Sequence, residues 1–251
     1  MTPNLLILGG TTEAARLCQR LHEERIQGTV SLAGRVERPR DLPLRTRIGG
    51  FGGAAGLADY LRDQSISHLV DATHPFATQM SASAVEASQQ TGVPLIALTR
   101  PPWTAQPGDR WTRVSGIEGA VQTLVGTPKR VMLAIGRQNL EPFAEQPQHF
   151  YLLRTVDPLL KPPAFPNHHA IVARGPFDVE EDLALMRAQA INTVVSKNAG
   201  GAAAYPKIAA ARRLGLPVIM IDRPKGPPRR DVHTTEAVLD WIAHPTADLG
   251  V

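Results

Sequence analysis

The chain has 251 residues, 43% of them hydrophobic and 20% charged, enough for a sizeable core in one large or two small domains. No apolar window approaches about 18 residues, which excludes a membrane span, and the single cysteine, Cys18, excludes an internal disulfide and a cysteine-built metal site. The net charge of +4, with aromatics at 5% and no dense lysine–arginine run, argues against a nucleic-acid partner; it fits a solvated basic surface, or cations converging on an anionic small molecule.

The opening "MTPNLLILGG" has no basic start and only a short apolar run, so it is not read as a signal peptide, and a cytoplasmic protein is expected. "LLILGGTTEAARL" runs from a strand at 4–8 through a glycine turn into a helix at 12–25, with Cys18 as a core residue. Backbone N–H groups at a helix start attract phosphate, and glycine lets the ligand approach. Gly9, Gly10, Thr11, Thr12 and Glu13 are therefore candidate nucleotide-binding residues, although the turn is not GxGxxG. The alternative is a plain strand-to-helix turn with Thr11 as its N-cap.

The next strand, 29–34, ends in "SLAGRV". NAD sites usually place an acidic residue there; Gly34 and Arg35 stand here instead, and arginine suits a 2′-phosphate, which favours NADP. The alternative is a surface arginine. A strand at 45–48 leads into "GGFGG", where Gly52 allows close approach to the cofactor or only makes a tight turn, and then a helix at 54–63. A strand at 66–71 ends in "DATHPF", which sets Thr73, His74 and Pro75 beside the expected cofactor, with proline suited to the first turn of a helix at 76–91. His74 is a candidate catalytic residue and a candidate cofactor contact, against the common case of a structural histidine. Strands at 93–98 and 111–114 follow, and "VGTPKR" near 125–130 marks the boundary between domains 1–127 and 128–251.

In the second half, strands fall at 130–135, 149–154, 170–173, 192–196, 216–221 and 231–234, with helices at 178–189, 202–213 and 235–243. "RPKGPPRRD" reads as a proline-rich loop. Residues 69–101 and 191–224 follow one pattern of strand, loop, helix, Gly-x-Pro, strand and Arg-Pro. Asp71 to Gly92 and Val194 to Gly215 are the same 21-residue step, so Ser196 matches Thr73 and Lys197 matches His74. Short apolar strands alternating with helices imply an α/β fold: two Rossmann-like, doubly wound parallel-sheet halves with strand order 3-2-1-4-5-6. Ligands in such sheets bind beyond the carboxyl ends of the strands.

Those ends in the second half carry Arg137, Arg154, Arg174, Lys197 and Arg223, with no nucleotide glycine fingerprint beside them. Several cations on one edge suit a ligand with several carboxylates or phosphates. Asn198 could bond a carboxylate, Gly200 would keep the "SKNAGG" loop open, and Lys207 faces either this site or solvent. The competing reading pairs the cations with local acids such as Asp157, Glu180 or Glu181, and uses Arg100 and Arg223 to brace loops. His168 and His169 are adjacent on a strand and point to opposite faces, so no metal site is expected.

Taken in order, "ILGGTTEAARL", "GGFGG", "VDATHPFA", "ARGPF" and "SKNAGG" followed by "GLPVIMIDRP" resemble the precorrin-6A reductase family of cobalamin biosynthesis. The resemblance covers essentially the whole chain. It implies NADPH and a corrin precursor in a cleft between two Rossmann-like halves, and reduction of one macrocycle double bond, precorrin-6A to precorrin-6B. Some members act on the cobalt-containing analogue. A polycarboxylate macrocycle would account for the cationic edge, and water, His74, Lys197 or Tyr205 for the proton that accompanies the hydride. A monomer or weak homo-oligomer is expected. Other classes fit the fold alone: a nucleotide-dependent transferase or dehydratase, or a module that only binds a nucleotide or sugar phosphate.

Overall fold

The computed structural model describes residues 2–34, 41–159 and 161–244. Its elements are β1 (Asn4–Leu8), α1 (Thr12–Glu23), β2 (Gln27–Leu32), β3 (Arg45–Ile48), α2 (Ala54–Asp63), β4 (His68–Asp71), α3 (Thr78–Thr91), β5 (Leu95–Leu98), β6 (Arg110–Val114) and α4 (Ile117–Thr123). There follow β7 (Arg130–Ala134), β8 (Phe150–Thr155), β9 (His168–Val172), α5 (Val179–Ala188), β10 (Thr193–Lys197), α6 (Pro206–Arg213), β11 (Pro217–Ile221), β12 (Asp231–Val232) and α7 (Thr235–Ala243). Two short 3-10 helices, Arg137–Asn139 and Glu141–Glu145, lie between β7 and β8.

The chain forms two compact units, Met1–Pro101 with Lys225–Val251, and Pro102–Pro224. Each holds a six-stranded sheet, ordered β3-β2-β1-β4-β5-β12 in the first and β9-β8-β7-β10-β11-β6 in the second. All the strand pairs are parallel. The expected order 3-2-1-4-5-6 is thus present twice, but each sheet takes its sixth strand from the other half of the sequence. This corrects the boundary expected at 127/128: the chain crosses between units after Pro101 and again after Pro224. Core packing explains the exchange. Trp111 of β6 packs on the second core, whereas Val238, Trp241 and Ile242 of α7 pack on the first.

Side-chain alternation builds the layers of the first unit. On β1, Leu5 and Ile7 join Leu17, Cys18 and Leu21 of α1, while Leu6 and Leu8 join Leu57, Ala58 and Leu61 of α2. Burial on both faces is why these strands read as unbroken apolar runs. The helix spacings i, i+3, i+4, i+7 put one stripe on the sheet. Each fully buried leucine contributes about 1.5–3 kcal/mol. In the second unit Met132, Leu152, Val194, Val218 and Met220 pack with Leu183 and Met186 of α5 and Ile208 of α6.

Register corrects the sequence match between the units. Leu8 ends β1 and Ala134 ends β7, each the fifth residue of its strand; Leu8 pairs with Asp71, and Ala134 pairs with Ser196. Ser196 is therefore the counterpart of Asp71 rather than of Thr73, Lys197 of Ala72, and Gly136–Arg137 of Gly10–Thr11. The equal 21-residue step hides a shorter crossover, because α6 has 8 residues and α3 has 14. Gly200 and Gly201, at φ +69° and +72°, hold the chain out of a helix until Pro206, so α6 starts later than the expected 202. Likewise α3 starts at Thr78, not 76: Ala77 N–H bonds His74 O at 2.7 Å, leaving Pro75 in a turn before the helix.

Candidate functional site

In the first unit, β1 ends against a tight turn. A Cβ on Gly9 would meet Val30 Cγ2 at 2.8 Å, so Gly9 is required by packing on β2 rather than by a ligand. Gly10 differs: its φ is +112°, and the space where a side chain would project is open. Thr11 is the N-cap of α1; its hydroxyl accepts from Ala14 N–H at 3.1 Å and donates to Ala72 O at 2.8 Å. Its one hydroxyl hydrogen is committed to Ala72, which is the N-cap arrangement given above as the alternative for this turn. The N–H groups of Thr12 and Glu13 precede the helical ladder and lie at the positive end of α1. The Glu13 carboxylate pairs with Arg100 at 2.7 Å, so its charge is compensated.

Beyond β2, Gly34 adopts φ +70° beside Ile48, while Arg35 lies outside the described residues. Arg47, which carried no signal in the sequence, organises "GGFGG". Its guanidinium donates to Gly49 O at 2.6 Å, Gly50 O at 2.7 Å and Ser31 Oγ at 3.2 Å, and lies 3.8 Å from the Phe51 ring centroid. Gly52 and Gly53, at φ +82° and +93°, then turn the chain into α2.

The end of β4 is organised by Asp71, whose side chain is 1% exposed. Its Oδ1 accepts from Thr73 N–H at 3.0 Å and the Thr73 hydroxyl at 2.7 Å. Its Oδ2 accepts from the Ser81 hydroxyl at 2.6 Å and from Arg229. The Thr73 hydroxyl therefore braces the loop, against its expected role on the cofactor. His74 Nδ1 accepts from Phe76 N–H at 3.2 Å, which selects the tautomer with hydrogen on Nε2.

In the second unit the cations divide. Arg137 opens a 3-10 helix behind Gly136, the place that Thr11 holds in the first unit, and Arg174 is exposed just beyond β9. Lys197 ends β10. Arg154 is instead a structural residue: its guanidinium pairs with buried Asp182 of α5 and lies 3.7 Å from the Phe177 ring centroid. Asn198 is 4% exposed and bonds the backbone of Trp103. Lys207 is 5% exposed, donates to Ala204 O and sits 5.0 Å from the Trp103 ring centroid. These corrections share one cause, since each polar group is buried and must find a partner inside the protein. Arg223 braces the "SKNAGG" loop through Asn198 O and Ala199 O. Tyr205 Oη accepts from Arg212.

Burial lowers the pKa of His68 and His149 and pushes the Cys18 thiol up to about 11. All three lie away from the carboxyl ends of the strands, in α1 or at strand starts. Among the described residues no cluster of His, Cys, Asp and Glu side chains could hold a metal ion, and no helix is long and apolar enough to cross a membrane.

The family model described as precorrin-6x reductase CbiJ/CobK matches residues 4–243. A precorrin-6A reductase of Rhodobacter capsulatus is 56% identical over 239 residues, 95% of each chain. One from Sinorhizobium sp is 51% identical, covering 96% of this chain and 93% of the relative. A cobalt-precorrin-6A reductase of Priestia megaterium is 28% identical, covering 88% and 91%. Among solved structures, "CobK precorrin-6A reductase" superposes with a TM-score of 0.94 at 55% identity, covering 98% of each chain.

Proposed function

Because the chain belongs to the precorrin-6x reductase family, we propose that its first unit holds NADPH and its second unit holds the macrocycle. The reaction is the reduction of precorrin-6A in cobalamin biosynthesis, an oxidoreductase step on a CH–CH group. One observation carries the division of labour: the two units have different turns at the same place in their sheets. Gly10 and Thr11 open a 12-residue helix with uncommitted first-turn N–H groups, whereas Gly136 and Arg137 open only a 3-residue 3-10 helix. The first arrangement suits a pyrophosphate. The second presents a guanidinium, which meets carboxylates through paired hydrogen bonds.

NADPH fits the first unit: the space at Gly10 is open, and Glu13 is neutralised by Arg100. Gly10, Thr12 and Glu13 would hold its phosphates through backbone N–H groups. Gly34 and Gly52 follow the next two strands, and Arg35, next to Gly34 in sequence, is assigned to the 2′-phosphate. Pro75 and His74, on the loop braced by Asp71, are assigned to the nicotinamide side. Bound NADPH would supply the hydride, and the protein has to orient it and exclude water. Arg137, Arg174 and Lys197 meet the macrocycle carboxylates, with Gly200 keeping the loop low. Lys197 and the Nε2–H of His74 are the two groups assigned to proton delivery. The higher identity to precorrin-6A reductases than to the cobalt-precorrin-6A reductase supports the metal-free substrate.

Gly10→Val tests the assignment. NADPH binding, followed by nicotinamide fluorescence, should weaken strongly while macrocycle binding is retained. Equal loss of both ligands would remove the division.

A further inference from the structure

Asn198 follows Lys197, the last residue of β10. Its carboxamide meets the backbone of Trp103 twice: Oδ1 accepts from Trp103 N–H at 2.7 Å, and Nδ2 donates to Trp103 O at 2.9 Å. A buried amide with this pairing replaces a strand neighbour for a segment that belongs to no strand. Trp103 closes the loop from its other side, donating from Nε1 to Gly201 O at 2.8 Å. The ring is seated on Tyr205, centroids 5.6 Å apart, and over the Lys207 ammonium. Left-handed Gly200 and Gly201 take this loop out of any ladder, so its shape depends on such outside partners.

We infer that Asn198 and Trp103 are positioning residues for Lys197: their mutual hydrogen bonds hold residues 198–201 in one shape, and with it the ammonium at the end of β10. The inference rests on the assignment of Lys197 to the macrocycle and adds what fixes that lysine in place. The Asn198 carboxamide is turned toward Trp103 and the Trp103 indole N–H toward Gly201, so both are assigned a positioning role.

Two substitutions test it. Asn198→Asp keeps shape and acceptor but sets an oxygen against Trp103 O. Trp103→Phe keeps an aromatic ring but loses the bond to Gly201. Turnover of precorrin-6A at saturating NADPH, NADPH affinity and thermal stability are measured for both and for Lys197→Ala. Asn198→Asp should lower kcat/KM for the macrocycle about tenfold or more, and Trp103→Phe about threefold, the scale of one or two lost hydrogen bonds. NADPH affinity should stay unchanged. The loss in Asn198→Asp should shrink, relative to wild type, as pH falls, because a protonated carboxyl again donates to Trp103 O. If Asn198→Asp does not fold, Trp103→Phe decides the matter. Lower thermal stability with unchanged kcat/KM, while Lys197→Ala is impaired, would overturn the inference alone. An unimpaired Lys197→Ala would overturn the underlying assignment and this inference with it.

Discussion

Arg100 Nη1 lies 2.7 Å from Glu13 Oε2 and ties the end of β5 to the first turn of α1. Without Arg100, an uncompensated carboxylate would stand at the turn assigned to the NADPH phosphates. Arg100→Ala should weaken NADPH roughly tenfold to a hundredfold, the equivalent of about 1.5–3 kcal/mol for a charged hydrogen bond. Adding Glu13→Gln should recover much of that loss. Unchanged NADPH affinity in Arg100→Ala would show that this turn does not face the phosphates.

Asp71 makes a different prediction. Its carboxylate gathers Thr73, Ser81 and Arg229 in a site from which water is nearly excluded. Asp71→Ala removes the acceptor shared by Thr73, Ser81 and Arg229, leaves Arg229 only its exposed partner Asp231, and should cost about 2–3 kcal/mol in urea unfolding. Thr73→Val removes one hydroxyl hydrogen bond and should cost about 1 kcal/mol. Comparable losses in the two variants would argue against Asp71 as the organising group.

The cations of the second unit should separate by phenotype. Arg154→Ala leaves Asp182 buried and unpaired and loses the Phe177 contact, so unfolding free energy should fall by about 3–5 kcal/mol. Arg137→Ala should lower stability clearly less than Arg154→Ala does, and raise KM for the macrocycle. Steady-state kinetics beside urea titrations would show the split. The reverse pattern would exchange the two roles.

Histidine burial predicts a pH dependence. His68 and His149 have pKa values lowered by burial from the ordinary 6.5, so the unfolded chain takes up protons first as pH falls. Their contribution to stability is complete above about pH 6.5 and is lost as pH drops from there toward the lowered folded values. His68→Phe keeps the ring contact with Trp241, and should flatten this slope in urea titrations between pH 7.5 and 5.5. A slope identical to wild type would place the titrating group elsewhere.

Most of the strands were legible because both faces of each central strand are buried, as in "NLLIL" and "PVIMI". The exchange of sixth strands was not, because β6 and β12 are edge strands with polar residues that carry no signal of which core they join. The glycine turn and the "DATHPF" loop were legible as loops at the carboxyl ends of β1 and β4. The division of labour within them was not. Asp71, Trp103 and Asp182 act through Arg229, Asn198 and Arg154, far away in sequence, and a lysine or asparagine after a strand reads the same whether it faces a ligand or a buried tryptophan.

NADPH-dependent reduction of precorrin-6A is measured directly as NADPH oxidation by the purified protein with precorrin-6A present and absent, repeated with NADH. NADPH consumption should require the macrocycle and match the reduced product one for one, with NADH much slower. No NADPH consumption in the presence of precorrin-6A, by a folded protein that binds both ligands, would contradict it.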